Sequence, residues 1–116
     1  KKFHISLPII QKNRQMNFSR WSFNAPLVIN SFGIPEPKNS KTIFPDVLLV
    51  PLVAFDKDKY RIGYGGGYYD RYIEKVKKKK KLITIGFAFS FQKINKVPKN
   101  KHDKKLDYII TEKALI

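Results

Sequence analysis

A glycine-rich segment carries the strongest chemical signal in the sequence. It runs from Arg61 to Asp70 as RIGYGGGYYD, with four glycines in the five positions 63–67. Glycine lets backbone amides point into one concavity and lets a ligand approach the backbone closely. A helix that begins directly afterwards adds free N–H groups and a positive dipole end. These features favour a phosphate ligand, to which Arg61 could add a bidentate clamp.

The spacing of these glycines is not that of a common nucleotide-binding motif. No Gly-Lys-Ser/Thr follows, and the last glycine of GxGxxG would fall on Tyr68. A tight turn that requires positive φ angles explains the same composition equally well. From the residues alone, both interpretations remain open.

Two carboxylates accompany the loop. Asp70 falls in the first turn of the predicted helix, where it would compensate the dipole or, beside a bound phosphate, serve as an oxygen ligand for Mg²⁺. Asp103 lies in a polar loop before the last predicted strand and is the best second ligand. The adjacent His102 is interpreted as a hydrogen-bonding loop residue, because it has no evident catalytic partner.

The net charge suggests nucleic acid as a partner, but only weakly. The chain has 24 Lys+Arg against 9 Asp+Glu, a formal charge of +15. Only four of these residues are arginines, whereas base reading favours the Arg fork. The densest lysine run, residues 77–81, falls where a helix should end, and cations complement the dipole there. A solvated helix end is therefore preferred to a nucleic-acid patch.

Length and composition restrict the remaining classes. At 116 residues and 42% hydrophobic, the sequence predicts one globular domain over 1–116. It has no cysteine, which excludes disulfides, thiolate metal sites and cysteine nucleophiles. No apolar run reaches the roughly 18–20 residues of a membrane span, and no secretory leader is visible. We expect a soluble, cytoplasmic protein.

Apolar patterning predicts the elements that position the loop. Strands are expected at residues 3–10, 16–23, 46–50, 52–55, 82–89 and 106–111, and a helix at residues 68–80. Pro8 indicates that the first strand either is an edge strand or ends there, and the apolar run 46–50 is expected at the sheet centre, buried on both faces. Residues 24–45 hold five prolines and glycines and are expected to be irregular. This order indicates an α/β fold with a mainly parallel sheet.

Three segments together resemble the 5-formyltetrahydrofolate cyclo-ligase family. They are FGIPEP at 32–37, DVLLVPLVAFDKDKYRIGYGGGYYDRY at 46–72 and VPKNKHDKKLDYIITE at 97–112. The resemblance covers nearly the whole chain. It implies a three-layer α/β/α fold, a cytoplasmic enzyme, and the use of ATP and Mg²⁺ to convert 5-formyltetrahydrofolate into 5,10-methenyltetrahydrofolate, with release of ADP and phosphate.

The resemblance also implies roles for individual residues. Asp70 and Asp103 would hold the magnesium ion, residues 64–68 would border the folate, and Phe32 would stack on a flat ring, although ordinary packing explains Phe32 equally well. The loop that binds the ATP phosphates would comprise Arg61, Ile62, Gly63, Tyr64, Gly65, Gly66, Gly67, Tyr68 and Tyr69. The reaction implied is phosphoryl transfer to the formyl oxygen followed by ring closure from N10, which depends on alignment more than on a protein nucleophile.

The sequence departs from the family pattern in two places. Tyr64 and Gly66 are uncharged where some relatives carry a basic residue, so Arg61 and the metal would bear more phosphate charge. The basic helix and folate-contacting strand that open family members have no counterpart here. We therefore expect the incomplete C-terminal portion of a longer cyclo-ligase fold. The alternatives left open are an inactive fragment, a nucleotide-binding relative with another acceptor, and a basic nucleic-acid-binding module.

Overall fold

The computed structural model describes residues 3–38 and 41–116, which divide into two compact units, Lys1–Pro45 and Asp46–Ile116. Residues 1–2 and 39–40 lie outside the described residues. Residues 39–40 belong to the segment 24–45 that was predicted to be irregular. The elements combine sheets with a helix, and the fold is mixed α/β.

The first unit is built on antiparallel pairing. Strand β1 (Ile5–Ile10) pairs with β2 (Met16–Trp21), whose other side pairs with β5 (Thr42–Ile43). Pro8 lies in β1, and β1 is at the edge of this sheet, as its missing N–H predicts. The expectation of a mainly parallel sheet therefore does not describe this unit.

The prediction that residues 24–45 are irregular is wrong in part, because three short strands lie there. One of them is β5, and β3 (Leu27–Ile29) pairs antiparallel with β4 (Pro35–Pro37). The side-chain oxygen of Asn30 accepts hydrogen bonds from the amides of Phe32 (2.8 Å) and Ile34 (3.0 Å) and so forms the turn. A two-stranded ladder leaves one side of each strand unpaired, so it tolerates prolines that would disrupt a central strand.

The second unit contains a parallel sheet with the strand order β10-β9-β6. These strands are β6 (Val47–Val50), β9 (Ile83–Phe87) and β10 (Tyr108–Ile110). The central strand among those described is β9, so the prediction that residues 46–50 form the sheet centre is wrong. Burial on both faces is also wrong, because Val47 and Leu49 are 49% and 56% exposed while their neighbours Leu48 and Val50 are buried. A short apolar run cannot reveal which faces are covered.

A hairpin and a helix connect β6 to β9. Strands β7 (Ala54–Phe55) and β8 (Arg61–Ile62) pair antiparallel, and α1 (Tyr68–Lys77) follows. The predicted helical period is confirmed, because α1 buries Tyr72, Ile73 and Val76. Together with the inward side chains of the sheet, these three form the core of the unit.

The lysine run at the end of α1 is held by acidic partners. Lys80 Nζ lies 2.6 Å from Asp46 Oδ1, and Lys77 Nζ lies 3.6 Å from Asp107 Oδ2. The helix ends at Lys77, a few residues earlier than predicted, and the run begins at that end. This position favours the interpretation of the run as a helix terminus whose cations complement the dipole.

Candidate functional site

The glycine-rich loop, residues 63–67, joins β8 to α1. Gly65 and Gly67 have φ angles of +99° and +68°, in the left-handed region that favours glycine. The prediction of a tight turn with positive φ is confirmed at these two positions. Gly67 is also the residue directly before the helix, and no side chain caps the helix at this end.

The amides of this loop remain available as donors. Among the described residues, no backbone carbonyl accepts a hydrogen bond from the N–H groups of Gly65, Gly66 or Gly67. The helix that begins directly after them adds the positive end of its dipole. A group of unsatisfied donors at a helix N-terminus is suited to an anion.

Arg61 lies beneath the loop and ties it to the sheet. Its side chain is only 5% exposed. Nη1 donates to the carbonyl of Pro51 (3.0 Å), which follows the last residue of β6, and Nη2 lies 3.5 Å from Asp70 Oδ1. This places the loop at the carboxyl end of β6, the sheet edge where ligands gather in α/β proteins. Its Nε is buried and has no hydrogen-bond partner among the described residues.

Three loop glycines make room for side chains of the protein itself. A Cβ added to Gly63 would lie 2.5 Å from Arg61 Nη1, and one added to Gly66 would lie 2.6 Å from the Tyr68 ring. A Cβ on Gly67 would lie 2.8 Å from Arg71 Nη1. At Gly65 nothing lies within 4 Å. Internal packing therefore accounts for three glycines, and Gly65 borders open space.

Arg71 is the site residue that the sequence analysis missed. Its Nη2 donates a 2.7 Å hydrogen bond to the carbonyl of Gly66, and its guanidinium carbon lies 5.5 Å from the centre of the Tyr68 ring. The signal was available, because a residue four positions after Gly67 lies one helical turn away from it. Two arginines, Arg61 and Arg71, thus hold the loop from below.

The loop tyrosines differ in environment. Tyr64 is 78% exposed, whereas Tyr69 packs near Arg61, whose guanidinium carbon is 5.9 Å from the ring centre. Burial raises the pKa of the Tyr69 phenol, and the charge of Arg61 opposes this rise only in part. The Tyr69 hydroxyl therefore stays protonated at neutral pH.

The two carboxylates proposed as metal ligands have separate partners. Asp70 faces Arg61, as described above, and its side chain is 24% exposed. Asp103 Oδ2 accepts the amide of Asn100 (2.9 Å) and closes a turn in the loop before β10. Within residues 3–38 and 41–116, no group of three or more His, Asp or Glu side chains could hold a metal ion. Mg²⁺ needs fewer, since it usually combines one or two carboxylates with phosphate oxygens and water.

Phe32 lies in the turn between β3 and β4 in the first unit. Its ring is 62% exposed, and the Asn30 side chain fixes its backbone amide. The ring is therefore available for contact with a ligand or with another part of a longer protein.

We expect substitution of Gly67 by valine to disrupt the loop more than the same change at Gly65. Both changes impose a β-branched residue on a positive φ angle, at a cost of about 1–3 kcal/mol. Only at Gly67 must Arg71 also move. Urea unfolding should show the larger destabilisation for Gly67→Val, and equal losses would contradict the packing of Arg71 against this glycine.

No helix among the described residues has the length and apolar character needed to cross a membrane.

Comparison with known proteins gives a consistent result. The model of the 5-formyltetrahydrofolate cyclo-ligase family matches residues 1–112. The 5-formyltetrahydrofolate cyclo-ligase of Haemophilus influenzae is 36% identical over 102 residues, 82% of this chain and 54% of that protein. The Escherichia coli K12 protein of the same name is 33% identical over 114 residues, 92% of this chain and 62% of that protein.

Solved structures agree with these matches. The 5,10-methenyltetrahydrofolate synthetase of Aquifex aeolicus superposes with a TM-score of 0.78 at 35% identity, over 97% of this chain and 57% of that chain. The synthetase of Mycoplasma pneumoniae superposes with a TM-score of 0.66 at 31% identity, over 90% of this chain and 54% of that chain. The chain spans between 54% and 62% of the length of these four relatives.

Proposed function

The chain belongs to the 5-formyltetrahydrofolate cyclo-ligase family, and on this premise we propose that it carries the nucleotide-phosphate site of an enzyme that converts 5-formyltetrahydrofolate into 5,10-methenyltetrahydrofolate with ATP. The products on the nucleotide side are ADP and phosphate. ATP and the folate are the substrates, and both would meet at the loop between β8 and α1.

The observation that carries this proposal is the set of free loop amides. Within the part of the chain that the structure describes, the N–H groups of residues 65–67 have no backbone acceptor, and the loop lies at the carboxyl end of β6. Phosphoryl transfer spreads negative charge over the non-bridging oxygens, and preorganised donors stabilise that charge without reorganisation. The Arg61 guanidinium, paired with Asp70, lies close beneath the loop, and its buried Nε has no hydrogen-bond partner among the described residues. The residues present therefore fit a triphosphate.

We propose that Asp70 and Asp103 hold the magnesium ion. Asp70 is partly exposed and follows the loop directly, and Asp103 Oδ1 accepts no hydrogen bond described in the structure. Bound Mg²⁺ would supply charge neutralisation at the phosphate oxygens. The chain's own contribution is to align the nucleotide by its loop amides, so no protein nucleophile is required.

We also propose that the parallel sheet is the middle layer of a three-layer α/β/α arrangement in family members of full length. Its buried residues accompany the apolar stripe of α1 on one side. Four large apolar side chains of the sheet are exposed, as expected if a further layer packs on its second face in family members of full length. They are Val47, Leu49, Phe87 and Tyr108.

The test of the proposed reaction is ADP release measured with and without the folate. We expect ADP and 5,10-methenyltetrahydrofolate, followed by its near-ultraviolet absorbance, to appear together and only when ATP, Mg²⁺ and 5-formyltetrahydrofolate are all present. ADP release that is independent of the folate would favour a relative with another acceptor. Tight, strongly salt-dependent binding of nucleic acid without nucleotide binding would favour the basic nucleic-acid module instead.

Phe32 is proposed to stack on the flat ring of the folate. We expect Phe32→Ala to raise the KM for the folate about tenfold, the usual cost of a lost stacking contact, while the KM for ATP stays unchanged. Phe23→Ala is the matched control, because Phe23 is an exposed phenylalanine of the same unit. Equal effects of the two variants, or a parallel rise in the KM for ATP, would contradict a stacking role.

A further inference from the structure

Arg71 contacts the glycine-rich loop in two ways. Its backbone amide donates to the carbonyl of Gly67 at 3.1 Å, and its Nη2 donates to the carbonyl of Gly66 at 2.7 Å. One helical residue thus binds two successive carbonyls of the loop. A short hydrogen bond from a guanidinium is charge-assisted and stronger than one between neutral groups.

The same guanidinium fills the space beside Gly67. Its Nη1 would lie 2.8 Å from a Cβ at that position, and the Tyr68 ring covers it at 5.5 Å. A Cβ added to Gly65, by contrast, would meet nothing within 4 Å. The loop therefore packs on Arg71 at Gly67 and borders open space at Gly65.

The bond to Gly66 fixes the direction of the next amide. In a trans peptide the C=O and the following N–H point in opposite directions. No cis peptide occurs among the described residues, so holding the Gly66 carbonyl toward Arg71 directs the N–H of Gly67 away from the guanidinium. That N–H has no backbone acceptor among the described residues. Arg71 thereby presents a donor to the open side of the loop.

We propose that Arg71 is a positioning residue that orders the glycine-rich loop so that its amides face the phosphates of the nucleotide. The phosphate part of this inference rests on the proposed function. Arg71 acts through the carbonyl of Gly66 and not by direct contact with phosphate. The loop itself carries no cation, and the charged side chains that contact it are those of Arg61 and Arg71.

The first measurement uses the protein without ligand. Arg71→Met keeps most of the side-chain length but removes the donors, and the control Lys78→Met removes one charge directly after the end of the same helix. We expect the amide resonances of Gly65, Gly66 and Gly67 to shift in Arg71→Met and their order parameters to fall from about 0.85 to below about 0.6, with Arg71→Lys restoring both in large part. Unchanged loop amides in Arg71→Met would overturn the inference, whether or not nucleotide binds.

The second measurement is ATP titration of the same variants. We expect Arg71→Met to bind ATP about tenfold more weakly with the salt dependence of binding unchanged, and Lys78→Met to bind as the wild type does. A weaker salt dependence with unchanged loop amides would indicate direct phosphate contact and overturn the positioning role. A wild type that binds no ATP would reject the proposed function, while the ligand-free amides still decide whether Arg71 orders the loop.

Discussion

Asp70→Asn is expected to lower ATP-dependent turnover by about 10²–10³-fold, the range found when one group that stabilises transition-state charge is removed. Asparagine keeps the size of the side chain but not its charge, so it would lose the proposed magnesium contact. It would also remove the carboxylate that lies 3.5 Å from the Arg61 guanidinium, and the Arg61 side chain is only 5% exposed. A buried cation without its partner is costly, and both effects act on the loop.

The control for Asp70→Asn is Glu74→Gln, which removes one negative charge from the same helix. Glu74 pairs with Lys78 at 4.0 Å and Lys104 at 3.9 Å, away from the loop. Turnover should be measured across a range of Mg²⁺ concentrations, together with urea unfolding of each variant. Turnover of Asp70→Asn within about threefold of the wild type at saturating Mg²⁺ would remove Asp70 from the metal site. A loss of turnover that merely follows a loss of folded protein would assign Asp70 to stability alone.

Local periodicity predicted the second unit well and the first unit less well. The helix at residues 68–77 and the strands around β6, β9 and β10 repeat their apolar residues at the expected spacing. The strands between residues 24 and 45 are two or three residues long, too short for a period to show. Strand order and the covered face of β6 depend on contacts distant in the sequence, which no local pattern contains.

The sequence identified most residues of the candidate site but not their arrangement in space. Glycine content and the following helix indicated the loop, because both are local properties. The spacing places Arg71 one helical turn after Gly67, but it does not show that the guanidinium binds the Gly66 carbonyl or that the Arg61 guanidinium lies under Gly63, because the direction of a long side chain depends on its packing. From the sequence alone, ligand approach and a tight turn explained the glycines equally well, whereas three of them also make room for arginine and tyrosine side chains. A glycine-rich loop thus encodes its own packing as well as its ligand.

The hairpin before the loop depends on one buried carboxylate. Asp56 is 1% exposed, and its oxygens accept the amides of Asp58 (3.0 Å), Tyr60 (3.1 Å) and Val97 (3.0 Å). It therefore forms the turn between β7 and β8 and fastens that turn to a segment far along the chain. We expect Asp56→Ala to cost about 3–4 kcal/mol, because it leaves buried donors unsatisfied. That is a large part of the roughly 5–15 kcal/mol of a typical domain, and urea unfolding would measure it.

The contribution of Asp56 should also depend on pH. Burial works to raise the pKa of this carboxyl, but the hydrogen bonds from Val97, Tyr60 and Asp58 and the charge of Lys99 bring it below its ordinary value. A carboxyl with a lowered folded-state pKa stabilises the protein above its unfolded pKa, near 3.9, and loses this contribution as the pH falls through the folded value.

The stability difference between wild type and Asp56→Asn should therefore be full at pH 7 and shrink toward pH 3, because acid removes the charge that asparagine lacks at every pH. In Asp56→Asn the side-chain NH2 group would replace the oxygen that accepts the Val97 N–H, so two donors would face each other. A part of the stability difference should therefore persist in acid. Asp58→Asn is the matched control, since Asp58 takes part in the same turn through its backbone and its side chain is exposed. A difference that stayed constant from pH 7 to pH 3, or an equal effect at Asp58, would show that the charge of Asp56 does not hold the hairpin beneath the loop.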